Sequence, residues 1–300
     1  METRKKDFPQ KIAEGLWVLG NSYFNLYLVR GREKSALIEH GVSATVDETA
    51  NQLDRLKVTP DYFIVLHPHP DHIDGLPGLR SIYPGALVVA GPGAAEFVSH
   101  PKTAQALVAE DCFMSEFLRG KGFPVGRPPL QDAPSLEGSL VKSEGDSIDL
   151  GGLTLRFLSA PGHAIGGLTI HIPELKAIIA SDSLGFRFPG LSDFFPIFFT
   201  GFGDYMSTLD RLEALKPEIL GLAHQGVLTG GEARDAFAQA RRAAIRMRDA
   251  ILAEKRGDNA LIEEIFENYY RDELKMYTRE NIETCCKLLI KRCREWEGRK

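Results

Sequence analysis

Residues 67–72 read His67-Pro68-His69-Pro70-Asp71-His72, four metal-ligating side chains in six positions, directly behind the apolar run Tyr62-Phe63-Ile64-Val65-Leu66. Imidazole nitrogen and carboxylate oxygen are borderline ligands that suit zinc, iron and manganese. A residue before proline is pushed toward extended dihedrals, so His67 and His69 are both expected to be extended. Side chains two apart on an extended chain share a face, and these two imidazoles can converge on one ion. Asp71 and His72 are adjacent and are expected to point apart, toward a second ion. A polar turn of hydrogen-bonding imidazoles does not require so many ligand types at fixed spacing. The chain must therefore fold so that a strand ends at a metal site.

Three hundred residues allow one large domain, or a domain with an appendage. The 43% hydrophobic content supports a packed core, and the net charge of −5 argues against a nucleic-acid partner. No uninterrupted apolar stretch is long enough to span a bilayer, and the charged residues 1–8 have no apolar signal core behind them. Cys112, Cys285, Cys286 and Cys293 form no CxxC pair. Three of them crowd one segment at helical spacing, which suits reduced, buried thiols better than a disulfide framework. A cytoplasmic protein is expected.

The N-terminal part reads as short β-prone runs (16–19, 24–29, 35–38) separated by glycine turns. Thr45, with Glu48 three residues on, gives the capping-box pattern for a helix over 45–57. A strand is expected at 62–66, then the histidine loop, a helix at about 73–83 and a strand at 86–90. Helices are expected over 93–118 with a break near Pro101, and the Gly- and Pro-rich residues 120–138 read as loop. Strands follow at 153–158, 168–172 and 177–180, then a helix at 204–215 and a strand at 218–222. Beyond residue 230, Phe237, Ala240, Ala244, Met247 and Ile251, and later Ile282, Cys286, Leu289, Cys293 and Trp296, repeat at three and four. That is the stripe of amphipathic helices, about three of them.

His163 in Ala160-Pro161-Gly162-His163, Asp182 in Ala180-Ser181-Asp182-Ser183 and His224 in Leu222-Ala223-His224-Gln225-Gly226 each follow an expected strand. All can reach one edge of a sheet sandwich, where loops build sites on a rigid scaffold. In this order the series HPHPDH, PGH, SD and AHQG resembles the metallo-β-lactamase superfamily, over roughly residues 12–230. The resemblance implies an α/β (α+β) fold, a four-layer αββα sandwich over residues 1–230, followed by a C-terminal helical extension over 231–300. It implies that His67, His69 and His163 hold one metal, that Asp71, His72 and His224 hold a second, and that Asp182 bridges both. The cofactor is expected to be two divalent ions, zinc first, with iron or manganese as alternatives. Asp74-Gly75 and Ala223 depart from the usual pattern but remove no ligand. Glu39 stands where the family often has an aspartate. A carboxylate there can accept a proton from a ligand imidazole, or can be a solvated strand-end charge. His40, His100 and His171 read as ordinary polar residues.

A two-metal site lowers the pKa of a bridging water toward neutrality. The implied function is a dinuclear metal-dependent hydrolase using a metal-bridging hydroxide, with Asp71 both ligating and orienting the nucleophile. Phe186, Phe188, Phe194, Phe195, Phe198, Phe199 and Phe202 are too dense for a solvated loop. They line an apolar pocket, or pack under the C-terminal helices or a homodimer contact. A sandwich with a helical tail is similar to the glyoxalase II and aminobenzoylacetyl-CoA thioesterase branch, which implies a thioester or other acyl ester as the small-molecule substrate. Arg234, Arg241, Arg242, Arg246 and Arg248 are interleaved with Glu232, Asp235 and Asp249 and read as a solvated helix face. Two other classes stay open: a di-iron redox protein of the same fold, and a metal-stabilised sensor or partner-binding protein.

Overall fold

Short apolar runs joined by tight turns open the chain as an antiparallel meander: β1 (Gln10–Ala13), β2 (Leu16–Gly20), β3 (Asn25–Arg30) and β4 (Ser35–Ile38). The computed structural model describes residues 7–188 and 193–297, so residues 189–192 of the phenylalanine-rich segment lie outside the described residues. Strands β5 (Tyr62–Ile64), β6 (Leu87–Ala90) and β7 (Leu140–Val141) then join in parallel, completing a seven-stranded sheet in the order β1 to β7. Parallel neighbours need long crossovers. These are supplied by α1 (Val46–Leu56), by α2 (Pro70–Ile73) with α3 (Leu76–Ile82), and by α4 (Ala94–Ser99) with α5 (Pro101–Gly120).

A second sheet repeats the scheme. Its strands β8 (Ser147–Asp149), β9 (Thr154–Ser159), β10 (Leu168–Ile172) and β11 (Ala177–Ser181) pair antiparallel. A separate hairpin of β12 (Phe186–Phe188) and β13 (Asp193–Phe195) follows, then α6 (Phe202–Ala214). Strand β14 (Ile219–Leu222) lies parallel to β11, and β15 (Val227–Thr229) closes the six-stranded sheet. Helices α7 (Gly231–Ala253), α8 (Asp258–Tyr269) and α9 (Arg279–Glu297) complete the described chain.

Alternation along the strands sorts the side chains into layers. Tyr27 and Val29 of β3, Ala36 and Ile38 of β4, and Ala177 and Ile179 of β11 meet in a buried core between the two sheets. Their neighbours Leu26, Leu28, Leu37, Ile178 and Ala180 face outward into the core shared with the helices. Each fully buried aliphatic or aromatic side chain is worth about 1.5–3 kcal/mol, so both faces hold the sheets in one register. The result is the αββα sandwich expected of the sequence, and among the described residues no helix is long and apolar enough to cross a membrane.

Several local expectations change. Thr45 does not cap α1: it sits at φ −92°, ψ −6° in a short 3-10 turn, and its hydroxyl donates back to the Val42 carbonyl at 2.8 Å. The capping-box geometry requires an extended Ncap; Glu48 instead accepts from Asn21 Nδ2 at 3.5 Å. The helix expected over 73–83 is two pieces, and the first begins inside the histidine loop, because Pro70 at N1 is pre-set for a helical start. The phenylalanine-rich segment contributes a hairpin.

Hydrogen bonds stitch the sheets together at both ends, through Arg32, Glu33 and Lys34 N–H to the Leu150 and Gly151 carbonyls at one and through the segments that carry the histidines at the other. Leu168 N–H donates to the Leu66 carbonyl at 2.8 Å, and Asn25 N–H donates to the Ala223 carbonyl at 2.8 Å. The Leu222 carbonyl accepts from both Tyr27 OH (2.6 Å) and Asn25 Nδ2 (3.1 Å). Tyr27→Phe removes one of these donors while the carbonyl keeps the other. We expect a loss of about 1 kcal/mol, read as a lower urea midpoint at unchanged slope; an unchanged midpoint would show that the hydroxyl adds nothing to sheet pairing.

Candidate metal centre

The end stitched through Leu66, Leu222 and Ala223 is where the histidines and aspartates collect. His67 and His69 follow β5, Asp71 and His72 lie on α2, His163 follows β9, Asp182 follows β11 and His224 follows β14. Ligand atoms of His67, His69 and His163 lie within 4.8 Å of one another, and so do those of Asp71, His72, Asp182 and His224. His69 is extended (φ −89°, ψ 157°), and it shares a group with His67 as its spacing suggests. Asp71 and His72 do not point apart: on a helical turn adjacent side chains can converge, and His72 Nε2 is 2.8 Å from Asp71 Oδ2.

Asp182 stands between the two groups. Its Oδ2 is 3.7 Å from His67 Nε2, 3.7 Å from His163 Nε2 and 3.3 Å from His72 Nε2, while Oδ1 is 3.8 Å from His224 Nε2.

Each of three imidazoles is aimed by a bond at its other nitrogen. His163 Nδ1–H donates to the Ile197 carbonyl at 2.8 Å, His224 Nδ1–H to the Tyr23 carbonyl at 2.6 Å, and His72 Nδ1–H to Glu39 Oε2 at 2.7 Å. Nε2 is then the nitrogen left to face the cluster, the arrangement that orients metal-ligating histidines. Glu39 is thus a buried partner of His72 and not a solvated charge. The backbone is strained to do this. Glu39 (φ 65°), Ser181 (φ 51°) and Gln225 (φ 68°) adopt the left-handed region beside His40, Asp182 and His224, a conformation rare outside glycine.

The donor set fits metal ions. His67 and His163 have buried Nε2 atoms that make no hydrogen bond, an arrangement that costs stability unless another partner accepts the lone pair. Burial and the neighbouring imidazoles lower the basicity of His67; burial, with His163 beside it, takes His69 down to about 3. Burial also lowers His163. All three imidazoles are neutral at pH 7. Burial opposes ionisation of Asp71, but His72 and His224 hold its carboxyl well below the usual range. Burial opposes protonation of His72 and His224, but Asp71, Glu39 and Asp182 raise His72, and Asp71 and Asp182 raise His224, so these two must release a proton before binding an ion as neutral imidazoles.

A cavity of about 190 Å³ opens on the cluster, with His69, Asp71, His163 and Asp182 at its floor. Phe186, Phe195, Ile197 and Phe199 form one wall, and Leu274, Tyr277, Ile282 and Leu288 the other. The remaining phenylalanines are structural: Phe188, Phe194, Phe198 and Phe202 are buried in the helix-facing core. Tyr269 of α8 binds the hairpin by stacking on Phe195 and Phe188, at 4.5 and 6.1 Å between centroids. The α7 arginines lie on a surface of ion pairs, Arg234 with Glu218, Arg241 with Asp210 and Glu213, Arg246 with Asp193 and Arg248 with Asp249.

Sequence reasoning missed the residues that come from far along the chain. Tyr277, buried at the cavity wall, donates its hydroxyl to Asp71 Oδ2 at 2.8 Å. Burial, together with the facing Asp71 and Asp182 carboxylates, holds this phenol well above its ordinary range, so it stays a neutral donor. Its position in a short turn carries no periodic signal. Asp74, whose two carboxylate oxygens are buried without a hydrogen-bond partner, was also not singled out.

Comparison with known proteins agrees with this geometry. The family model described as the metallo-beta-lactamase superfamily matches residues 22–224, and the chain belongs to that superfamily. A metallo-beta-lactamase fold-containing protein of Sulfurisphaera tokodaii is 25% identical over 205 residues, 68% of this chain and 73% of that protein. A hydroxyacylglutathione hydrolase of Ruegeria pomeroyi is 28% identical over 160 residues, and the match spans 53% of this chain and about half, 47%, of that protein. An acyl-coenzyme A thioesterase of Bos taurus is 26% identical over 220 residues, 67% of this chain and 71% of that protein. Among solved structures, a metallo-beta-lactamase family protein from Thermus thermophilus has a TM-score of 0.62 at 19% identity, covering 94% of each chain. The archaeal superfamily protein from Sulfolobus tokodaii has a TM-score of 0.60 at 21% identity, covering 91% of this chain and 93% of that one.

Gly162 sets the turn that presents His163. Its φ is +115°, and a Cβ there would lie 2.3 Å from the Tyr205 backbone. Gly162→Ala is expected to destabilise by about 1–3 kcal/mol and to lower metal content by elemental analysis. Full metal content in that variant would show that His163 does not depend on the turn.

Proposed function

We propose that the protein is a dinuclear metal-dependent hydrolase of thioesters or related acyl esters whose acyl portion is compact, apolar and uncharged. The observation that carries this reading is the cavity, which joins the His/Asp cluster to aromatic and aliphatic walls. Among the described residues no arginine or lysine lines it. A carboxylate carried on the acyl portion, away from the ions, would lie against these walls without a cationic side chain, and anion sites are ordinarily built with one. An apolar cavity of about 150 Å³ holds a benzene, so the 190 Å³ here suits a ring or a short branched chain. The hydroxyacylglutathione hydrolase and acyl-coenzyme A thioesterase among the relatives support the acyl class.

In this reading His67, His69 and His163 hold one divalent ion, Asp71, His72 and His224 hold another, and Asp182 reaches both. Such a pair, zinc first and iron or manganese as alternatives, supplies Lewis acidity and an activated water when bound. The chain's own residues do the rest. Phe186, Phe195 and Phe199 hold the acyl group dry against the cluster, and Asp71, ionised at the cavity floor, accepts a proton from the attacking water and orients it. Glu39 keeps His72 in the tautomer whose Nε2 faces inward.

The metal-loaded protein is expected to hydrolyse aryl and short-chain acyl thioesters. His69→Ala or Asp182→Ala should lower kcat/KM by more than the about 10–100-fold that outer partners of a metal typically cost. A two-ion protein that turns over no thioester, acyl ester or lactone would overturn the proposal.

A further inference from the structure

The helices after residue 230 do more than cover the cavity. Their reach into the cluster runs through one atom: the Tyr277 hydroxyl, 2.8 Å from Asp71 Oδ2 and 3.4 Å from His224 Nε2. Asp71 and His224 both belong to the four-residue ligand group. Asp71 Oδ2 is also 3.1 Å from His224 Nε2; a carboxylate oxygen has two lone pairs, so an ion that takes His224 Nε2 as a ligand frees one of them while the phenol keeps the other.

Tyr277 is held by its own carbonyl and by its neighbour Thr278. Tyr270 OH donates to the Tyr277 carbonyl at 3.1 Å, and Thr278 N–H donates to Glu110 Oε2 of α5 at 3.2 Å. The Thr278 hydroxyl bonds the other oxygen of Glu110, and also accepts from Asn281 N–H at 3.1 Å, the N-cap bond that starts α9. The residue that begins the last helix is thus clamped to α5, and Tyr277 beside it is fixed in place without any contribution from the ions.

We propose that Tyr277 is a positioning residue for the metal centre: its hydroxyl orients Asp71, and the C-terminal helices thereby complete the site of one ion of the pair. The proposal rests on the reading of Asp71 as a ligand. Hydrogen-bonding partners of a metal's ligands typically contribute about 10–100-fold in metal affinity. Coupling of this kind is reciprocal, so occupancy by that ion tightens the docking of residues 272–297 in return.

The test is Tyr277→Phe, which deletes the hydroxyl and keeps the ring. Metal titration against a chelator should show one ion bound about 10–100-fold more weakly and the other unchanged. The visible spectrum of the cobalt(II)-loaded variant should change for that ion alone. Amide exchange over 272–297 should slow on metal addition in the wild type and slow less in the variant. Equal affinities and spectra for wild type and variant overturn the proposal, and so does a uniform weakening of both ions together with a lower unfolding midpoint of the metal-free variant. A wild-type protein that binds fewer than two ions instead strikes the dinuclear reading on which the proposal rests. If Tyr277→Phe does not fold, Thr278→Val loosens the clamp while leaving the phenol, and should weaken the same ion by a smaller factor.

Discussion

The structure depends on where its two sheets are tied. Packing of alternating side chains sets the distance between sheets, and hydrogen bonds between them fix how the strand ends meet. The bonds from Leu168 N–H to Leu66, from Asn25 N–H to Ala223, and from Tyr27 and Asn25 to Leu222 tie them at the edge that carries the cluster, and those from Arg32, Glu33 and Lys34 N–H to Leu150 and Gly151 tie the other end. Leu66 immediately precedes His67, and Leu222 and Ala223 immediately precede His224. The ties at that edge therefore also align the ligand loops.

Order at this edge is kept at some expense of backbone comfort. Glu39, Ser181 and Gln225 sit in left-handed conformations, and the Nε2 lone pairs of His67 and His163 are buried with no hydrogen-bond partner. Both features disfavour folding taken alone. They make sense together if an ion satisfies the nitrogens, and the large apolar cores on either side supply the surplus. The walls of the cavity share this character. The hairpin of β12 and β13 gives Phe186 and Phe195 to the cavity and Phe188 and Phe194 to the core, so a single element both shapes and stabilises the site.

Much of this could be read from the sequence because the signals are local. Ligands at fixed spacing behind a β-prone run mark His67 to His72, and strand-then-ligand segments mark His163, Asp182 and His224. Three-and-four spacing marks α7 and α9. Where a local pattern has a competitor, it misleads. Thr45 and Glu48 have capping-box spacing, yet a preceding 3-10 turn takes the threonine hydroxyl. Pro70 reads equally as loop or as helix start, and the helix won, turning Asp71 and His72 together. The edge strands β7 and β8 are too short to show a period. Tyr277 was not legible at all, because its meaning lies entirely in a contact to Asp71.

The separations within the site carry a consequence for how the protein is made. Tyr277 meets Asp71 across 206 positions, and His224 meets Tyr23 across 201. Contacts this distant in sequence close late in folding, after the loop entropy between them has been met. A half-folded chain presents only the local cluster of His67, His69, Asp71 and His72. Open nitrogen-rich clusters of that kind favour copper over zinc, iron or manganese. Asp182 and His224 come to the cluster only through the second sheet, so any preference among metals that this geometry imposes would belong to the completed fold and not to the local segment.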